Sequence, residues 1–465
     1  MFIGRKDELE MLRDRINNDS FELGVIYGQR RIGKTSLILE AVSGTDYIYF
    51  LAREDVYANN LEYFASVYQK QFGLPYPPRF SSFDELFESL LEYLGNRKYT
   101  IVIDELPFLA HSYPSIVSYL QGLADRLNRA GRPIKILLSG SDSSFMVDLL
   151  EDKAKPLYQR ATFKMHVGPL LFSDAVRMLN GFANEDISRY LSIFGNRPFY
   201  LEKLDRKKNF DQNIIGLCFS PDSVLTDAPN ITLPIGYSSN SVFAGILTAL
   251  SKHKQRVKEI ADELRMDSNA VSTYLGRMSE GESIEKRETF NGSRKTNYYE
   301  ISDPFIRFYY RVIRPNLDLI ERRMGRQVYE SEKAIIDDIV AHGFEDVVNS
   351  FMEEQNRKGL LPVACRPFRR YVADNSKLGR SIEIDGLSES LDGNVLIAIE
   401  AKYRNKNVSL EVLEHLKESV SVFSANYRRT YYYLFAKASF SDDLLSKNDP
   451  DVRLVSLASM MQGNS

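Results

Sequence analysis

Gly28-Gln29-Arg30-Arg31-Ile32-Gly33-Lys34-Thr35 follows a short apolar run, Leu23 to Tyr27, and precedes a helical stretch that starts at Ser36. The pattern is G-x-x-x-x-G-K-[ST]. Glycines let the backbone curl so that several N–H groups face one phosphate. The following helix adds the positive end of its dipole. In this arrangement Lys34 reaches the β- and γ-phosphates and the Thr35 hydroxyl ligates Mg²⁺. Tyr99-Thr100-Ile101-Val102-Ile103-Asp104-Glu105 supplies the other half, an apolar strand ending in acid. Asp104 is expected to hold Mg²⁺ through water, and Glu105 to polarise the attacking water. The pairing predicts ATP hydrolysis rather than binding alone.

The next apolar strand ends in Ser139-Gly140-Ser141-Asp142. Either Ser139 or Ser141 is placed to sense the γ-phosphate; the alternative is a serine-rich helix cap. Arg160 is the candidate arginine finger, set against a plain surface arginine. Gly28 to Ser36, Asp104, Ser139 and Arg160 form the expected ATP-binding set, with Arg30 and Arg31 flanking the phosphates.

A second group of acids lies far downstream. Glu345 falls among Phe344, Val347, Val348 and Phe351 of a helix, Asp385 ends one strand, and Glu400-Ala401-Lys402 ends another. Glu400 and Lys402 are two apart, so on a strand they share a face. Carboxylates that hold Mg²⁺ beside a lysine that orients or deprotonates water are what phosphodiester hydrolysis requires. Glu345, Asp385 and Glu400 are the candidate metal ligands and Lys402 the candidate catalytic base. The alternative is a scaffold in which Lys402 is bridged to Glu400 or Asp385.

The elements that must position these groups form a chain of 465 residues, 43% hydrophobic and 26% charged, with net charge -3. That excludes a mostly disordered chain and a global polycation. No run approaches the ~18 apolar residues of a membrane span. Two cysteines, Cys218 and Cys365, form no metal or disulfide framework. Residues 1–9 become charged at once, without a secretory apolar region, so a cytoplasmic location is expected.

Apolar runs at 47–51, 99–103, 134–138 and 163–167 alternate with amphipathic stretches, which predicts a parallel α/β sheet. The expected domains are a phosphate-loop core over 1–170, a helical lid over 171–218 and a linker over 219–240. A winged helix-turn-helix over 241–302, an aromatic and basic connector over 303–330 and a second α/β domain over 331–465 follow. In the middle module, helices at 242–251, 257–264 and 268–279 precede a polar hairpin with Asn291-Gly292 at its turn. Residues 241–302 hold ten basic and nine acidic residues. Lys252, Lys254, Arg256, Lys258, Arg294 and Lys295 are its candidate phosphate contacts; packing against protein is the alternative use of the module.

The opening Phe2-Ile3-Gly4-Arg5-Lys6-Asp7-Glu8-Leu9 resembles the h-G-R-x-x-E-L segment of prokaryotic AAA+-type ATPases, which packs near the adenine. Residues 28–35, 103–105 and 138–141 are similar to that group's Walker motifs and sensor strand. Gly195-Asn196-Arg197-Pro198-Phe199-Tyr200 resembles its G-G-x-P-x-Y lid element, with Asn196 in place of a glycine. Tyr299 to Tyr309, with Asp303-Pro304-Phe305 at its centre, is similar to the segment opening the C-terminal region of archaeal ATPases with a DUF234 domain. That region resembles the PD-(D/E)xK nucleases, and Asp385, Glu400, Lys402 and the helix acid Glu345 match their core.

The expectation is therefore a Mg-ATP hydrolase linked through a winged helix to a nuclease-like domain acting on nucleic acid. The alternative is a nucleotide-gated switch or DNA-binding regulator with an inactive nuclease-like scaffold. Homo-oligomers or a protein partner are expected, and no membrane association.

Overall fold

The computed structural model describes residues 2–153, 155, 157–234, 237, 239–290, 297–375, 380–424 and 426–462. The expected turn Asn291-Gly292 and the tip residues Arg294 and Lys295 lie outside the described residues. The chain divides into two compact units. One comprises Met1–Gly168 with Ile231–Pro234 and Glu280–Glu282; the other comprises Pro169–Asn230, Ile235–Ser279 and Ser283–Ser465.

The first unit is built on strands β1 (Glu22–Tyr27), β2 (Tyr47–Leu51), β3 (Tyr99–Asp104), β4 (Ile134–Gly140) and β5 (Phe163–His166). All pair in parallel, in the order β2-β3-β4-β1-β5. The apolar runs are unbroken because both faces are covered. Leu23, Val25, Ile101, Ile103, Ile136 and Leu138 face one core. Val102 and Leu137 face the other, which they share with Leu37 and Ile38 of the helix Lys34–Val42. Side chains alternate along a strand, so Asp104 and Ser139, each two residues beyond Val102 and Leu137, continue on the Lys34–Val42 side. The insertion of β4 between β1 and β3 puts its C-terminal end between the phosphate loop and the acids of β3.

The second unit opens with helices Phe172–Met178, Asn184–Phe194, Pro198–Leu201 and Phe210–Cys218. The segment expected as a lid thus belongs to this unit. Helices Ser241–Ser251, Val257–Leu264 and Ser268–Glu280 precede an antiparallel pair, β6 (Ile284–Arg287) and β7 (Tyr298–Ile301). Ile260, Val271, Leu275 and Met278 are buried, as the helical spacing predicts.

A 25-residue helix, Lys333–Arg357, leads to the mixed sheet of this unit. Its strands are β8 (Arg369–Asn375), β9 (Arg380–Glu389), β10 (Val395–Lys402), β11 (Arg429–Ala436) and β12 (Val452–Ser456). They lie in the order β12-β11-β10-β9-β8, with β8, β9 and β10 antiparallel and β10, β11 and β12 parallel. β8 starts at Arg369, beyond Pro362 and Pro367, which lack the N–H that a ladder needs.

Candidate nucleotide site

The loop Gly28–Gly33 leaves β1 and runs into the helix Lys34–Val42. Gly28 has φ +146°, and a Cβ there would lie 2.3 Å from the carbonyl oxygen of Val167. No other residue fits both the angle and the approach. Lys34 is buried, and its Nζ donates to the carbonyls of Gly28 at 2.7 Å and Gln29 at 2.8 Å. Burial pushes its ammonium below the ordinary lysine range, with Glu105 and Asp104 pulling the other way.

Three donors converge on Asp104. Thr35 Oγ1 donates to Oδ2 at 2.6 Å, the Tyr49 hydroxyl donates to the same oxygen at 2.7 Å, and the Glu105 N–H donates to Oδ1 at 3.1 Å. Glu105 stands in the left-handed region at φ +55°. Its Oε2 accepts from the Ser141 N–H at 3.0 Å and the Ser141 hydroxyl at 2.8 Å. Of the two serines weighed from sequence, Ser141 therefore grips Glu105. The Ser139 hydroxyl is buried without a hydrogen-bond partner among the described residues.

Arg5 braces the loop from behind. Its guanidinium donates to the carbonyls of Ile32 at 3.1 Å and Gly168 at 2.5 Å. Arg30 stands 5.9 Å from the centre of the Phe108 ring. Arg160 donates to the Tyr158 carbonyl at 3.0 Å and pairs with Asp125 at 3.5 Å. Glu282, a member of the same compact unit, joins the loop margin: its carbonyl accepts from Gln29 Nε2, and its Oε1 lies 3.0 Å from His166 Nε2.

Thr35 and Asp104 present oxygens only, the donor type that Mg²⁺ takes. Mg²⁺ sites built on one or two protein ligands plus substrate phosphates need no all-protein cage. The residues present fit that ion.

In the second unit the structure brings Glu345, Asp385, Glu400 and Lys402 into one electrostatic group. Burial and then the Asp385 charge push Glu345 up to about 8 and Glu400 up to about 7. Asp385 is raised by burial. Burial alone would lower Lys402, but Glu400 and Asp385 outweigh it and hold the ammonium high. Among the described residues no three His, Cys, Asp or Glu side chains are grouped to hold a metal. One oxygen each of two of these carboxylates is engaged: Asp385 Oδ2 accepts the Ala401 N–H at 2.8 Å, and Glu400 Oε1 is paired with Lys402 Nζ.

Sequence reasoning missed Tyr49 and Glu282. A tyrosine within an apolar strand reads as packing, and Glu282 is far from the loop in sequence. The alternation that puts Tyr49 on the side of Asp104 was present in the strand pattern once β2 was set beside β3.

Residues 2–204 match a family described as an ATPase domain predominantly from Archaea. Residues 309–414 match DUF234, a family of archaeal and bacterial proteins of unknown function. The chain is 28% identical over 408 residues to the uncharacterized protein MJECL04 of Methanocaldococcus jannaschii, covering 87% of this chain and 88% of that one. A 38-residue stretch is 50% identical to the uncharacterized ATP-binding protein MJ0423 of the same organism, covering 8% of this chain and 64% of that one. Among solved structures, the Walker-type ATPase PABY2304 of Pyrococcus abyssi aligns with TM-score 0.51 at 19% identity, over 67% of this chain and 96% of that one. The parallel sheet of the first unit has the P-loop NTPase fold.

Proposed function

We propose that the chain, which matches an ATPase domain predominantly from Archaea over residues 2–204 and DUF234 over residues 309–414, hydrolyses Mg-ATP. The observation that carries this reading is the meeting of Thr35, Asp104, Glu105 and Ser141 where β3 and β4 end beside the phosphate loop. Backbone N–H groups of residues 28–35 and the start of the Lys34–Val42 helix bind the β- and γ-phosphates. Lys34 exchanges its two carbonyl partners for phosphate oxygens. Mg²⁺, held through Thr35 and Asp104, supplies charge neutralisation on the phosphates. Glu105 orients and polarises the attacking water, and Ser141 fixes Glu105. Ser139 is the buried hydroxyl available to the γ-phosphate side. Arg160 serves as a finger toward a neighbouring copy, which makes a homo-oligomer the working form. Lys34→Ala is expected to abolish ATP binding. Glu105→Gln is expected to keep binding and lose turnover by a factor of at least ~100. Unchanged turnover in Glu105→Gln would reject the hydrolytic assignment.

The raised carboxyls beside Lys402 favour a second reading, phosphodiester hydrolysis in the DUF234 region with nucleic acid as substrate. Glu345, Asp385 and Glu400 would hold a divalent ion, which would supply charge neutralisation at the phosphodiester, while Lys402 would orient or deprotonate the attacking water. The three helices and the β6–β7 pair serve in this reading as a winged helix that contacts phosphates, in a cytoplasmic protein. No described helix is long and apolar enough to cross a membrane. Cleavage of DNA or RNA in Mg²⁺ or Mn²⁺, lost in Asp385→Ala, tests it. A salt-sensitive DNA shift without cleavage would favour the regulator instead.

A further inference from the structure

We propose that Tyr49 is a positioning residue for the magnesium end of the nucleotide site, a role that rests on the Mg-ATP reading above. Neither the phosphate loop nor the acid-bearing strand contains it. It sits on β2, the neighbour of β3, where Tyr49 pairs with Val102 and Leu51 with Asp104. Val102 and Asp104 are two positions apart, so Tyr49 and Asp104 rise from the same face. That face is the one packed against the Lys34–Val42 helix. The aromatic ring spans the pleat between them, and the hydroxyl reaches Asp104 Oδ2 at 2.7 Å.

The geometry assigns distinct duties to the two hydroxyls on that oxygen. Thr35 Oγ1, which donates to Oδ2 at 2.6 Å, would also hold the ion through its lone pair. Tyr49 donates its proton to Oδ2 and also interacts with the neighbouring Thr35 hydroxyl. The Glu105 N–H fixes the other oxygen, Oδ1. The carboxylate plane is thus pinned by one donor that can become a ligand and two that do not. Without the Tyr49 hydroxyl, Oδ2 loses the donor that is not also called on to hold the metal. Asp104 can then rotate away from the water it must hold. Partners of this outer kind typically change metal affinity by 10- to 100-fold when removed.

The test uses the full-length protein and a fluorescent ATP analogue, read as binding rather than turnover. In Tyr49→Phe, the Mg²⁺ concentration for half-maximal tight nucleotide binding should rise by about 10-fold or more. Nucleotide affinity in EDTA should stay as in wild type. Tyr47→Phe, one pleat earlier on the same face, should leave the Mg²⁺ requirement unchanged. An unchanged Mg²⁺ requirement in Tyr49→Phe overturns the proposal. So does an equal loss of nucleotide affinity with and without Mg²⁺, which would mark a packing role. If wild type itself binds ATP with no help from Mg²⁺, the Mg-ATP reading fails and this one with it.

Discussion

Arg197 and Asp303 form an ion pair at 3.3 Å, with both side chains nearly excluded from solvent at 6% and 7% exposure. Each belongs to a segment singled out by resemblance, Arg197 to the lid element and Asp303 to the Asp-Pro-Phe segment. The pair turns two motifs into one joint. Tyr200 donates its hydroxyl to Asp303 Oδ2 at 2.8 Å, and the Phe305 N–H donates to Oδ1 at 2.9 Å. Phe194 stacks on Phe305 at 5.2 Å. Asn196, which replaces the usual glycine, donates to the Leu170 carbonyl at 3.1 Å and the Ser350 hydroxyl at 2.8 Å. Both motifs lie in the second unit.

Asp303→Ala should be severely destabilising. It strands a buried guanidinium and removes a helix cap and the Tyr200 acceptor at once. Breaking a buried pair in this way costs about 3–5 kcal/mol. Denaturant unfolding should show the loss. Arg197→Ala should also destabilise, yet leave ATP affinity per folded molecule within roughly twofold, since 1 kcal/mol is already about fivefold. A large loss of ATP affinity in folded Arg197→Ala would instead make Arg197 a nucleotide sensor.

Ser141→Ala should slow turnover while sparing ATP binding. The hydroxyl at 2.8 Å is one of two donors that hold Glu105 Oε2. The backbone N–H survives the substitution, so the carboxylate is loosened rather than freed. A misplacement near 1 Å costs up to about 100-fold. The expected drop in kcat is therefore about 10- to 100-fold, with KM nearly unchanged. Steady-state kinetics check it, and a raised KM at constant kcat would contradict it.

What could be read in advance follows the range of the interactions. The five strands of the first unit are unbroken apolar runs because both sheet faces are buried, so β1–β5 were legible almost to the residue. Lys34, Thr35, Asp104 and Glu105 were legible because their spacing is set by a single loop and one strand end. Other pairings are long-range and leave no local pattern: Tyr49 to Asp104, Glu282 to Gln29, Arg197 to Asp303. β12 carries no such apolar signal, because its five residues lie at a sheet edge and are at least partly exposed throughout. In the second unit the four residues Glu345, Asp385, Glu400 and Lys402 were predicted together. Sequence could not reveal that the Ala401 N–H holds Asp385 Oδ2 or that Lys402 is paired with Glu400 Oε1.

Glu282→Gln should tighten ATP binding. Its carboxylate stands at the loop margin, tied by its own carbonyl to Gln29 and by its Oε1 to His166. A negative charge beside incoming phosphates repels them by about 1 kcal/mol at ~4 Å in water. Removing it should raise affinity several-fold at low salt, and the gain should shrink as salt screens the charge. A titration at two ionic strengths decides. Weaker binding in Glu282→Gln would show that the contact supports the loop instead.

Stability should fall as pH rises through neutrality when no divalent ion is present. Glu345 titrates at about 8 and Glu400 at about 7 in the folded protein, both raised by burial and by Asp385. In an unfolded chain each titrates at about 4.3. Between those values the folded state holds more protons than the unfolded state, so unfolding is favoured as pH climbs. The loss begins above about pH 4.3 and levels off beyond about 8. Glu345→Gln removes one of the buried like charges and relieves Asp385. In EDTA it should match wild type at pH 5 and melt a few degrees higher at pH 8.5, as a change near 1 kcal/mol would give. Mn²⁺ should recover the alkaline loss in wild type if the carboxylates take a metal, because only their ionised forms bind it. Melting curves at the two pH values settle both points. A Glu345→Gln protein less stable than wild type at pH 8.5 would mean that the carboxylate makes a favourable contact that outweighs its crowding.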